Sequence, residues 1–283
     1  MKGSEIKILG WNCLAMALPG VSLVAADGLT PSLAHGETES GVKYGVWGYP
    51  VEGPAPVLIN LGSTIEEILS SAYFRQAGNE LAERGYLSVS IDIPGHGDQH
   101  LAGEPDGLKA WRVRADRAEN FVTENNRRLT DVVDHLIRTG VADPKRIAVC
   151  GTSRGGFLAL HFAAHDPRVK VVAAFAPVTD LLVLHEFDGA DGVSLVNELA
   201  TEKLADGLRG KSVWIIIGDR DERVGTDEAI GTARAITRAA LRHGESSQVE
   251  FHVLPEPKGH TTPQGAAAMA AAWIYQQHHI ETE

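Results

Sequence analysis

The chain has 283 residues, 43% of them hydrophobic and 22% charged, the balance of a protein that buries a sizeable core. Its formal net charge of −11 argues against a general affinity for nucleic acid or anionic membrane, both of which favour Lys/Arg patches. Two cysteines, Cys13 and Cys150, supply neither a disulfide framework nor a metal-ligand cluster, and Cys150 at the end of an apolar run reads as a small core residue.

The N-terminus, MKGSEIK, carries two lysines ahead of the almost uncharged ILGWNCLAMALPGVSLVAA. Val24 and Ala26 fit a signal-peptidase site, and Pro19-Gly20 breaks a helix just before it. Residues 1–26 therefore fit a signal peptide and 27–283 one domain, which points to a secreted or periplasmic protein. Uncleaved, the segment reads as a short helix packed on the domain of a cytoplasmic one. It is short and interrupted for a membrane span, and no later apolar stretch reaches the required length, so stable membrane insertion is not expected.

VKYGVWGYPV alternates like a partly exposed strand, GPAP turns, and VLINLG is a continuous apolar run of the kind buried on both faces. SAYFRQAGNELAERG has helical spacing and a Gly stop. YLSVSIDIPG is strand-like and HGDQHLAGEPDG a polar loop; a long helix is predicted over 111–137, and RIAVC returns to strand. VVAAFAP, VWIIIG and VEFHVLP repeat the strand type; the last two flank the helical DEAIGTARAITRAALRHG, and TTPQGAAAMAAAWIYQQHH closes the chain as a helix. Such alternation predicts an α/β fold: a mostly parallel central sheet of about eight strands with helices on both faces, in a single domain. The stretch 181–210 exceeds what a crossover needs and is expected to form a small lid or a pocket wall.

Between RIAVC and the helical GGFLALHFAAH lies Gly151-Thr152-Ser153-Arg154-Gly155, a G-x-S-x-G placed between strand and helix. A sharp strand-to-helix turn strains the serine backbone, tolerates only small residues two places away, and holds the hydroxyl clear of the sheet over a helix N-terminus. A plain helix cap is the simpler use of such a serine. A nucleophilic serine needs a base and an orienting acid. Of twelve histidines, His260 in PEPKGHTTP follows the last strand at the crevice end of the sheet, whereas His161, His165, His252, His278 and His279 read as core or surface residues. For the acid, IIIGDRDERV places Asp219 and Asp221 just beyond a strand, with Asp221 favoured because Gly218 lets the chain turn back; Asp180 in APVTD competes.

The order Ser153, Asp221, His260 and these placements resemble the α/β-hydrolases from about Val42 onward, and GTSRGGF is closest to the branch holding dienelactone hydrolases and prolyl-oligopeptidase catalytic domains. The resemblance implies a serine hydrolase acting through an acyl-enzyme. In it the backbone amides of Ser63, in NLGST, and Arg154 would receive the oxyanion, although Leu61 stands where that family often has histidine. DIPGHGD matches a recurrent turn of the family, with His96 structural. No metal and no organic cofactor are expected, since neither H-E-x-x-H nor a cysteine cluster is present. The expected substrate is a small-molecule or polymer-linked carboxylic ester; peptide or amide hydrolysis, and non-catalytic ligand binding on the same fold, are the alternatives. Pocket walls are expected in the 95–115 and 182–210 stretches, with Trp111, His185 and Phe187 as substrate-binding candidates.

Overall fold

The computed structural model describes residues 30–280; the predicted signal peptide and Cys13 lie outside the described residues. Eight strands form one sheet: β1 (Ser32–Glu37), β2 (Lys43–Gly48), β3 (Ala55–Leu61), β4 (Leu87–Ser90), β5 (Ala142–Thr152), β6 (Val169–Phe175), β7 (Ser212–Gly218) and β8 (Val249–Leu254). Their order is β1-β2-β4-β3-β5-β6-β7-β8. β1 and β2 pair antiparallel, as do β2 and β4, and every pairing from β4 through β3 to β8 is parallel. This is the mostly parallel α/β sheet that the alternating pattern predicts, in the arrangement that the resemblance to α/β-hydrolases implies.

The continuous apolar strands explain the layering. All seven residues of β3 and of β7 are buried, because helices cover both faces of the sheet. Successive side chains go to opposite faces. Val57, Ile59, Val149 and Ile215 pack with Phe157, Leu158, Val132 and Ile236 from the helices Arg154–His165, Phe121–Arg138 and Thr226–Arg242. Leu58, Ala148, Cys150 and Trp214 pack on the other face with Leu81, Ala270 and Ile274 from the helices Gly78–Ala82 and Ala266–Ile280. Cys150 is fully buried, and burial raises its thiol pKa.

Two predicted helices are each divided. The segment 71–85 forms short helices at Ala72–Arg75 and Gly78–Ala82, separated where Gln76 takes φ 47°. The buried Asn60 of β3 supplies the reason: its Nδ2 donates to the carbonyls of Phe74 and Arg75 at 3.3 and 2.8 Å, occupying acceptors that a continuous helix would use. The segment 111–137 divides into Leu108–Asp116 and Phe121–Arg138, with Ala118 at φ 57° and Asn120 accepting from the Thr123 amide as an N-cap.

Connections leave β3 toward β4 on one side and return to β5 on the other, so β3 and β5 flank the point where the winding reverses. Ligand crevices form at the carboxyl ends of strands at such a point. Ser63 follows β3 there, and Ser153 follows β5.

Candidate active site

Ser153 is the single residue between β5 and the helix Arg154–His165, with φ 55° and ψ −117°. A non-glycine residue rarely adopts that conformation unless its surroundings enforce it. Here the Ser153 amide donates to Phe175 O at 2.9 Å, and its carbonyl accepts from Phe157 and Val178 amides, each at 3.1 Å. The flanking glycines are required by contact. A Cβ on Gly151 would stand 2.2 Å from Gly155 O, and one on Gly155 would stand 1.9 Å from Leu61 O. The helix therefore starts directly against the end of β3, with the serine hydroxyl above it.

The structure brings the three predicted side chains into one hydrogen-bonded series. His260 Nε2 is 3.0 Å from Ser153 Oγ, and His260 Nδ1 is 2.8 Å from Asp221 Oδ2. Asp221, in the turn after β7, is 2% exposed, and its Oδ1 accepts from the Arg223 and Val224 amides at 3.2 Å each. A carboxylate fixed in this way selects the imidazole tautomer protonated at Nδ1, which leaves Nε2 free to accept from the hydroxyl. The competing carboxylates have other uses. Asp180 accepts from the Leu182 amide at 2.9 Å, and Asp219 accepts from the Glu256 amide at 2.9 Å, tying the turn after β7 to the loop that carries His260.

Opposite His260, Gly62 and Ser63 leave β3. Among the described residues, the amides of Ser63 and Arg154 donate to no protein acceptor, and both residues line the same cavity. The 92–98 turn braces this loop: Asp92 Oδ1 accepts from the Ile65 amide and Oδ2 from the Asp98 amide, each at 2.8 Å, while the Ile93 amide donates to Ser63 O at 3.0 Å. Sequence reasoning assigned no role to Asp92; its place after a strand in DIPGHGD was the available signal. His96 has a backbone partner, with Nδ1 3.0 Å from Pro94 O, and burial together with the Arg154 charge lowers its pKa.

The cavity above Ser153 measures about 280 Å³ and is walled by Tyr73, Phe74, Thr152, Ala176, Thr261 and Thr262 in addition to the residues already described. The expected walls are elsewhere. Trp111 is fully buried, stacked on Phe121 at 4.8 Å between ring centroids, with its indole N–H donated to Pro94 O at 2.6 Å. Phe187 is 1% exposed within the core. His185 is exposed beside Glu186, 3.5 Å away, and does not line this cavity. The aromatic wall comes instead from Tyr73 and Phe74 on the interrupted 71–85 segment, whose departure from helix the apolar spacing did not reveal.

Known proteins resemble the chain in part or along most of its length. The thiohydrolase apmlB of Arthrinium phaeospermum is 32% identical over 128 residues, covering 44% of this chain and 38% of that protein. A putative dipeptidyl aminopeptidase IV from Bacteroides ovatus superimposes with a TM-score of 0.67 at 19% identity, over 88% of this chain and 36% of that one. A cold-adapted esterase from an Arctic intertidal metagenomic library superimposes with a TM-score of 0.62 at 20% identity, over 90% of this chain and 99% of that one. At such identities the structural likeness is one of fold, and the chain spans well under half the length of the first two proteins. The profile of the prolyl oligopeptidase family matches residues 73–279, most of the sequence including the elbow at Ser153 and both of its partners, and the chain belongs to that family.

Proposed function

We propose that the chain is a serine hydrolase that cleaves carboxylic esters through an acyl-enzyme intermediate. The reading is carried by the hydrogen-bonded series from Ser153 Oγ through His260 to the buried Asp221. Ser153 Oγ attacks the acyl carbonyl as His260 Nε2 takes its proton, and the imidazolium is stabilised by Asp221. The tetrahedral oxyanion accepts from the Ser63 and Arg154 amides; one lost donor of this kind costs about 2.7–4 kcal/mol in other enzymes. His260 then protonates the leaving alkoxide, and water repeats the sequence on the acyl-enzyme to release the acid.

Support for esters comes from the esterase neighbour, 99% of which is matched by 90% of this chain. The family match and the aminopeptidase neighbour favour amide hydrolysis by the same residues as the second reading. A fluorophosphonate probe, read by intact mass and peptide mapping, is expected to label Ser153 in the wild-type protein and nothing in Ser153→Ala. The same substitution is expected to lower kcat on short acyl esters by at least about 10⁴-fold. Faster turnover of amides than of matched esters would transfer the assignment to peptidases. A folded wild-type protein with no labelling and no turnover would overturn the hydrolase reading and favour ligand binding.

A further inference from the structure

We infer that Arg154 is an anion-binding residue of this cleft, and that the substrate carries a carboxylate within reach of its guanidinium; this deepens, and rests on, the hydrolase reading above. Arg154 is half-buried, and its Nε donates to Gly62 O at 2.8 Å, which fixes the guanidinium plane at the cleft wall beside Ser153. A guanidinium has five N–H donors, and that bond uses one. Nη1 and Nη2 have no protein acceptor among the described residues, and neither is sealed from solvent.

The surrounding charges leave this fork open. Glu67 and Glu186 are the carboxylates whose fields act on Arg154, and neither forms an ion pair with it among the described residues. Glu67 accepts from Ser63 Oγ, while Glu186 takes Arg223 Nη2 on both oxygens at 2.7 and 2.8 Å. The cleft lining includes no Asp, Glu or Lys, so Arg154 is its permanent charge, positive in a chain whose net charge is −11. Burial lowers the arginine pKa, a desolvation cost that a bound carboxylate would offset. Two parallel N–H groups presented at an open wall match a carboxylate bidentately.

The carboxylate could belong to the acyl or the alcohol fragment, and two pairs of esters separate these sources. 4-Nitrophenyl hydrogen glutarate against 4-nitrophenyl pentanoate reads the acyl side. 4-Carboxyphenyl butyrate against its methyl ester reads the alcohol side. Buffer rates are subtracted, and the quantity read is the anionic-to-neutral ratio of kcat/KM, so a general loss of activity in a variant cancels. The wild-type ratio is expected to exceed about tenfold in one pair, the scale of one charge-assisted hydrogen-bonded contact. It should collapse toward unity in Arg154→Gln, mainly through KM, and be partly kept in Arg154→Lys.

A wild-type ratio below tenfold in both pairs, or a ratio that survives Arg154→Gln, overturns the inference while leaving the hydrolase reading intact. The wild-type ratio decides the matter alone if the variants do not fold. If wild-type protein neither turns over esters nor labels at Ser153, the hydrolase reading is what has failed. Calorimetric titration with the unhydrolysed glutarate monoester then judges the anion site. Binding about tenfold weaker in Arg154→Gln supports it, and no binding or equal affinity overturns it.

Discussion

Ser153 sits in backbone space that costs an L-residue about 1–3 kcal/mol, and its neighbours hold it there through three main-chain hydrogen bonds. The absent side chain at Gly155 matters as much as those bonds. Adding a Cβ there places carbon 1.9 Å from Leu61 O, 2.4 Å from Leu61 C and 2.8 Å from Gly62 Cα, all backbone atoms with no rotamer to yield. The helix must then withdraw from β3, separating Ser153 from Ser63. Gly155→Ala is therefore expected to lose at least about 3 kcal/mol in urea unfolding, the upper range for overpacking, and to label slowly with fluorophosphonate even where folded. Gly192→Ala, where no atom lies within 4 Å of the new Cβ, should stay within about 0.5 kcal/mol of wild type. Near-native stability and labelling in Gly155→Ala would show that the close approach is not needed. The mutual exclusion of Gly151 and Gly155 was readable in the sequence because it acts over a five-residue span, whereas the approach of Gly155 to Leu61 joins segments far apart in the chain and left no local signal. The Asp221–His260 contact, 39 residues apart, was readable only through the rule that crevice residues follow parallel strands.

Strands with unbroken apolar runs appear where the pattern puts them, whereas the helix expected over 71–85 is interrupted by a side chain from another element. Hydrophobic spacing reports which face of a segment is buried; it does not report that Asn60, near the carboxyl end of β3, will claim the carbonyls of Phe74 and Arg75. The interruption has a consequence for the cleft. It exposes Tyr73 along the wall and leaves Gln76 free to donate from Nε2 to Thr262 Oγ1 at 3.3 Å, while Tyr73 Oη lies 3.4 Å from Thr261 Oγ1. The turn is thus bonded to the loop holding His260. Asn60→Leu fits the same strand position but leaves both carbonyls without their donor, at a cost of about 1–3 kcal/mol. Its expected kinetic signature is a raised KM with a smaller change in kcat, because the wall moves and the Ser153–His260–Asp221 series does not. A drop in kcat at constant KM would place the effect on the reacting groups instead. β1 escaped the pattern for a different reason: SLAHGE is a half-exposed antiparallel edge strand, with little apolar alternation to mark it.

How distant segments converge is the level at which the sequence says least, and the 181–210 stretch illustrates it. Its length suggested a lid, yet Phe187, Ala190, Leu195, Val196 and Leu199 are buried in the main core. Part of what anchors it is His161, on the helix that begins beside Ser153, whose Nε2–H donates to Leu199 O at 2.9 Å. Burial pushes the His161 pKa down from 6.5 to about 4, and burial does the same to His278 at the C-terminal helix. The sign follows from proton counting. Between about pH 6.5 and 4 the unfolded chain binds a proton at His161 that the folded chain does not, so stability is complete above 6.5 and falls as the solution is acidified. Over that interval His161 accounts for a loss of about 3 kcal/mol, at a slope approaching 1.4 kcal/mol per pH unit. His161→Gln removes the titration. It is expected to lower stability at pH 7.5 and to flatten the dependence on pH, so that urea midpoints for variant and wild type converge toward pH 4.5. Parallel curves across that range would mean that acid acts elsewhere. Since His161 joins the 181–210 stretch to the helix carrying the Ser153 elbow, the tryptophan-fluorescence transition on acidification at a fixed urea concentration should coincide with the loss of fluorophosphonate labelling, and both should shift together in His161→Gln.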